Sequence, residues 1–363
     1  MKLDQIRRRV GQMFMVGFEG TTVSSELKHI IENYFIGGVV LFSRNIESLE
    51  QVATLTNDIQ ALSKTPLFIC VDQELGKVRR FKEPFTDFGN PSDFVKTPSP
   101  KLSFDIGFAV AQELRAIGVN FNFAPVVDIN TNPQNPIIGD RAFSSDPNEV
   151  SKIASGFFRG LQRGGVVACA KHFPGHGDTQ TDSHLELPTV ETSIEQLKTR
   201  EWIPFERVIR SGIETVMTAH IFNKNLDPTY PATLSKKTLR YLREDLRFQK
   251  GIITDDLEMK AILDHYSIEE ATQLSIQADV DFLLICKKHE NQIKAIETVL
   301  RGVLDLKIPV TRIEESSERI TKIRNRYILP FAPVSIDDIQ KIVGCETHQE
   351  LAKQLRTPSG TPE

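Results

Sequence analysis

Short apolar runs alternate along this chain with longer stretches of helical periodicity. Eight runs stand out: Gln12–Gly17, Gly37–Phe42, Leu67–Asp72, Val119–Ala124, Val166–Ala170, Glu214–Ala219, Gly251–Asp255 and Asp281–Cys286. They are rich in Val, Ile, Leu, Phe and Cys with little polar alternation, which predicts strands buried on both faces of a parallel sheet. Between them lie amphipathic segments. Leu49 to Leu62 places apolar residues at Leu49, Val52, Ala53, Leu55, Ile59 and Leu62, the spacing of one helix face. Phe104 to Ile117, Val150 to Leu161, Ile194 to Ile209, Ile268 to Ala278 and His289 to Val303 read the same way. Eight βα units predict an α/β fold, a single-domain (β/α)8 barrel of TIM type. An open doubly wound sheet fits less well, because no GxGxxG follows the first strand and no P-loop occurs. Val310 to Tyr327 predicts a charged helix that seals the barrel. The expected organisation is a barrel over residues 1–330 and a helical extension with a disordered tail over 331–363. One or two short helices are expected between Ser335 and Leu355, and disorder from Arg356 to Glu363.

The longest insertions follow the third strand (Glu83 to Pro100) and the fourth (Asn130 to Pro147). Long loops of this kind are usually functional, and here they would project from the carboxyl ends of the strands. The densest chemistry follows the fifth strand: Lys171-His172-Phe173-Pro174-Gly175-His176-Gly177-Asp178-Thr179, then Asp182-Ser183-His184. Catalytic groups of a barrel come from the carboxyl ends of several strands. The third ends in Asp72-Gln73-Glu74, with Arg79 and Arg80 beyond; the fourth leads to Asp128 and then Arg141. The sixth ends in Thr218-Ala219-His220 and the seventh in Thr254-Asp255-Asp256. Carboxylates, cations and imidazoles at one mouth suit a polar small ligand, and a sugar fits well.

Two other chemistries fit these residues less well. His172 and His176 are four apart, the spacing of two metal ligands on one helix face. Pro174, Gly175 and Gly177 oppose that helix, so a barrel metallohydrolase is a minor alternative and no metal is expected. Nucleophilic serine chemistry has no GxSxG elbow here. Paired-carboxylate chemistry has its strongest candidates in Asp255 and Asp256.

Composition narrows the setting. The net charge of −4 and the absence of a basic run predict no nucleic-acid partner. No window approaches the apolar length of a membrane span, and the first residues lack a signal peptide's apolar stretch, so no membrane partner is expected. Cys70, Cys169 and Cys286 sit inside apolar runs, Cys345 lies near the end, and none has a close ligand spacing. Buried, reduced thiols point to a cytoplasmic protein.

The stretch from Lys171 to Thr179 with Asp182-Ser183-His184 resembles the signature of glycoside hydrolase family 3, in its β-N-acetylglucosaminidase branch. Asp72-Gln73-Glu74, Ile138-Gly139-Asp140-Arg141-Ala142-Phe143 and Ile253-Thr254-Asp255-Asp256-Leu257 agree in order and spacing, so the resemblance spans roughly residues 5 to 330. It implies a retaining, exo-acting enzyme on a small-molecule glycan, without a cofactor, in peptidoglycan recycling; we expect a monomer. It implies that Asp255 is the nucleophile and that His184, partnered by Asp182, is the general acid/base. Asp72, Arg80, Arg141, Lys171 and His172 match family residues that hold the non-reducing sugar. Asp256, pointing to the other side of its strand, would support the following helix instead. Arg141 has a second reading as half of a buried ion pair, and Arg79 reads as solvated. His176 is expected to hold the loop's shape and His220 to form the floor of the site. The sequence departs from the family at Leu75 and Lys77, where Gly and Arg are usual, and Leu75 is expected to alter the loop. A β-glucosidase, a phosphorylase, and a non-catalytic sugar-binding barrel are the rival functions.

Overall fold

A computed structural model describes residues 2–97, 99–179, 181, 183 and 186–357. Its eight strands are β1 (Phe14–Val16), β2 (Gly38–Leu41), β3 (Phe68–Val71), β4 (Phe121–Asn122), β5 (Val167–Phe173), β6 (Thr215–Thr218), β7 (Gly251–Asp256) and β8 (Phe282–Ile285). They pair in parallel in chain order and close on themselves, β8 against β1, as the run spacing predicts. Every strand residue is buried except Asp255 and Asp256 at the end of β7, which are partly exposed. Among the described residues no helix is long and apolar enough to cross a membrane.

The two ends of the barrel differ in chemistry. Phe68, Phe121 and Phe282, each the first residue of its strand, meet edge-on with ring centres 5.6–6.3 Å apart. Arg324 of the helix Val310–Tyr327 lies 5.0 Å over the Phe68 ring and donates to the Pro66 carbonyl. That helix therefore closes the amino-terminal end, where Arg312 and Arg319 also pair with the buried Asp281 just before β8.

The helices start where capping side chains allow. Ser48, Ser99, Asp146, Ser193 and Ser267 each accept an N–H of the first turn that follows. The expected single helix Ile194 to Ile209 is two, Ile194–Thr199 and Trp202–Arg210. Pro204 lacks an N–H and is tolerated only in a first turn, so the chain breaks at Arg200 and restarts. Helices Leu3–Gly11 and Ser25–Tyr34 were not anticipated; Ile6 and Val10, and Leu27, Ile30 and Ile31, form their narrow buried faces, and most of their surface faces water.

Residues beyond the barrel pack against the helix Pro100–Ala116. Glu113 in that helix is buried and accepts from Thr86, the Gly344 N–H and His348. Arg356, expected in a disordered tail, is instead the last residue of the helix Glu346–Arg356 and donates to the Asp87 carbonyl.

The helices that follow the two long loops, Pro100–Ala116 and Pro147–Arg163, touch backbone to backbone at glycines. A Cβ on Gly160 would lie 2.1 Å from the Phe104 carbonyl oxygen, and one on Gly107 2.1 Å from that of Phe157. Gly160→Ala is expected to cost about 3 kcal/mol in urea unfolding, at the upper end of overpacking effects. A loss within experimental error of zero means the helices separate freely.

Candidate active site

The ends of β3, β5 and β7 surround a cavity of about 260 Å³ whose lining includes Asp72, Glu74, Arg80, Arg141, Lys171, His172 and Asp255. All five residues proposed from sequence to hold a sugar are thus on one wall system with Asp255. Asp182 and His184 lie outside the described residues. Ser183 between them is described; its hydroxyl lies 3.3 Å from His176 Nε2 at the same cavity.

Lys171 is the centre of the charge arrangement. Its ammonium, buried on β5, lies 2.8 Å from Asp72 Oδ1 and 2.7 Å from Glu74 Oε1. Arg80 binds the other oxygen of Asp72 at 3.0 Å, and Arg141 grips Glu74 with both Nε (3.0 Å) and Nη2 (2.8 Å). Three cations share two carboxylates, so this cluster carries one excess positive charge opposite Asp255. Burial pushes both carboxyls up, but Lys171 and Arg80 hold Asp72 well below the ordinary range, and Arg141 and Lys171 hold Glu74 below it. Burial pulls the pKa of Lys171 down, but Asp72 and Glu74 outweigh it and raise it above the ordinary value.

The loop after β3 owes its path to Gln73, which sequence reasoning passed over. Gln73 Oε1 accepts the N–H groups of Arg80 and Phe81, and its Nε2 donates to the Phe81 carbonyl. This folds the chain back so that Arg80 returns beside Asp72. At the tip Gly76 takes φ +64°, so the left-handed position falls on the glycine that is present. Leu75 needs no such conformation and is buried, which removes the expected effect of the Leu75 substitution. Arg79 is turned the other way, 2.7 Å from Asp87. It is ion-paired rather than simply solvated, and outside the cavity. Arg141 combines both readings, since its ion pair with Glu74 lies on the cavity wall.

Asp128 orients the opening of the loop after β5. Its Oδ2 accepts the His172 N–H at 3.0 Å and faces His172 Nδ1 at 2.7 Å, while Oδ1 accepts the His176 N–H at 2.7 Å. An ionised carboxylate can only accept, so Nδ1 carries the proton and Nε2 faces Arg141 at 3.5 Å. Asn135 then staples the loop after β4 to this one, donating to the carbonyls of His176 and Gly177. Asp128 stood among the strand-end groups read from sequence but was given no role, and Asn135 was not singled out at all. The Asp128 signal was its position at a strand end; Asn135 gave none.

The two adjacent carboxylates of β7 part ways. Asp255 faces the cavity, and its Oδ1 accepts the Asp256 N–H at 2.8 Å. Burial raises its pKa, but His220, His172, that N–H and Lys171 together bring it below the ordinary value. Asp256 Oδ1 instead accepts the N–H groups of Glu258 and Cys286, bracing the strand end against β8. Burial, with Glu258 and Asp255 nearby, pushes Asp256 up to about 7. His220 lies under both, with Nε2 2.9 Å from the Asp256 carbonyl. Among the described residues no three His, Cys, Asp or Glu side chains are grouped to hold a metal.

Comparison with known proteins agrees with this geometry. The family described as "Glycosyl hydrolase family 3 N terminal domain" matches residues 5–323. A β-hexosaminidase of Alkalilimnicola ehrlichii is 36% identical over 356 residues, covering 96% of this chain and 97% of that protein. A family 3 β-N-acetylglucosaminidase from Paenibacillus superposes with a TM-score of 0.89 at 33% identity, covering 96% of this chain and 68% of that one. NagZ of Neisseria gonorrhoeae, solved with N-trifluoroacetyl-D-glucosamine, superposes with a TM-score of 0.79 at 29% identity, covering 95% and 97%.

Burial and the neighbouring His172 push His176 down to about 4 from its usual 6.5. Its neutral form is thus favoured on folding, and this contribution is present above pH 6.5 and lost as the pH falls towards 4. Its size is on the order of 3 kcal/mol. Asp256, raised on folding, acts oppositely over much of the same window. Unfolding free energies from pH 7 to 4 are expected to fall less steeply in His176→Asn than in the parent chain. Equal slopes contradict the assignment.

Proposed function

The chain belongs to glycosyl hydrolase family 3 and is a glycoside hydrolase, and from that premise we propose a retaining exo-β-N-acetylglucosaminidase. The observation that carries the reading is Asp255, an ionised carboxylate on a strand end facing a cavity rimmed by Arg80, Arg141 and Lys171. At about 260 Å³ the cavity is smaller than a drug-sized pocket and suits one sugar ring, which favours removal of a terminal residue. The relatives named as β-hexosaminidase and β-N-acetylglucosaminidase favour a 2-acetamido sugar.

In the proposed mechanism Asp255 attacks the anomeric carbon and forms a glycosyl-enzyme. A carboxylate serves because it attacks readily and leaves again when water arrives. His184, steadied by Asp182, protonates the departing oxygen and then deprotonates the water. An imidazole titrates near working pH and can do both. Asp72, Arg80, Arg141, Lys171 and His172 orient the ring by charge-assisted hydrogen bonds to its hydroxyl groups. The natural substrates proposed are N-acetylglucosaminyl muropeptides released from peptidoglycan and recycled in the cytoplasm.

Asp255→Ala is expected to lower turnover of an aryl β-N-acetylglucosaminide by at least about 1,000-fold. His184→Ala is expected to lose less, on the order of 100-fold, because a phenol leaves with little protonation. Near-normal rates in both variants end the proposal. The same assay with inorganic phosphate separates the rivals: sugar 1-phosphate identifies a phosphorylase, and saturable binding without product identifies a sugar-binding barrel.

A further inference from the structure

Two hydrogen-bond partners of His220 bear on its charge. It is buried in the segment just after β6, with Nδ1 2.9 Å from Thr233 Oγ1 and Nε2 2.9 Å from the main-chain oxygen of Asp256. The Thr233 hydroxyl has a single proton, which goes to the Ala219 carbonyl at 2.8 Å, an oxygen that can only accept. Thr218 Oγ1, 2.9 Å away, donates its own proton to Thr233 Oγ1. Thr233 therefore offers His220 only a lone pair, and Nδ1 must carry hydrogen. The Asp256 carbonyl also only accepts, so Nε2 must carry hydrogen as well. An imidazole protonated on both nitrogens is a cation.

We propose that His220 is a buried imidazolium that positions Asp255 and makes it the better leaving carboxylate in the second half of the reaction. The proposal rests on Asp255 being the nucleophile. The link runs through one residue: the Asp256 N–H donates to Asp255 Oδ1, and the Asp256 carbonyl accepts from His220. A buried cation needs opposing charge, and Asp255, held ionised at the end of β7, supplies it. Lys171 and His172 act on the same nucleophile from β5. His220 comes first among the groups that offset the effect of burial on Asp255.

The charge has opposite effects on the two steps. In the first, a bond forms from Asp255 to the anomeric carbon, the bond to the leaving oxygen breaks with its electron pair, and that oxygen takes a proton from the acid. Asp255 loses its negative charge. In the second, water attacks the anomeric carbon, its proton passes to the base, and the electron pair of the ester bond returns to Asp255. The imidazolium stabilises the returning charge, so it speeds the second step at some expense to the first.

His220→Gln keeps a donor for the Asp256 carbonyl and removes the charge. With a reactive aryl substrate we expect a burst of about one phenol per enzyme, then a kcat lowered about 100-fold with KM falling alongside it, as the glycosyl-enzyme accumulates. Nitrogen-15 NMR of histidine-labelled wild-type protein should show both His220 ring nitrogens protonated at pH 7. In Asp255→Asn, which removes the opposing charge, His220 should lose its proton at lower pH. A bare ring nitrogen in the wild type at pH 7 overturns the proposal. So does a Gln variant with kcat within about threefold of wild type, or one whose loss leaves KM unchanged. If the Gln variant does not fold, the wild-type spectrum and its Asp255→Asn comparison decide alone. A fluorosugar that traps no adduct on wild-type Asp255 overturns the proposed function and, with it, His220's part in the reaction; the measured charge of His220 is read separately.

Discussion

The arrangement at the barrel mouth depends on a buried ammonium, that of Lys171, shared between Asp72 and Glu74. Removing one such charge from water costs several kcal/mol, and only close opposite charges repay it. The requirement propagates outward. Asp72 must be near enough to pair, so the β3 loop folds back through Gln73, and that fold delivers Arg80. Glu74 must be satisfied on its second oxygen, which draws Arg141 in from the loop after β4. Two loops are thereby tied to one strand residue, and the cluster's surplus positive charge faces Asp255 across the cavity.

The opposite wall follows a different logic. Adjacent residues on a strand point to opposite faces, so Asp255 and Asp256 cannot share a task. One faces the cavity and is kept ionised by the surrounding positive groups. The other gives its carboxylate to N–H groups of the next turn and of β8, and lies where burial favours its protonated form. Identical side chains thus acquire different chemistry from a rotation of about half a turn along one strand. The helix Val310–Tyr327 and the Phe cluster close the other end of the barrel.

What could be read from the chain, and what could not, divides along a physical line. Eight apolar runs specified eight strands because burial on both faces leaves an unmistakable composition, and the strand ends then located Asp72, Lys171 and Asp255 without any coordinates. The helix Ser25–Tyr34 was missed although Leu27, Ile30, Ile31 and Tyr34 have helical spacing; the break at Arg200 was written in Pro204 but masked by apolar periodicity on both sides. Residues whose task is to hold loops, Gln73 and Asn135, gave no signal, because amide side chains are ordinary in loops and their partners are distant in sequence.

The sequence by itself determined the barrel, the strand ends on which chemistry can sit, and the family resemblance of the motifs there. Only the tertiary structure decided the charge states. Whether Asp72 is ionised, His176 neutral or Arg141 a wall of the cavity depends on burial and on charges within a few ångströms, contributed by strands far apart in the chain. Side-chain identity states which protons a residue can carry; its neighbours in space determine which it keeps.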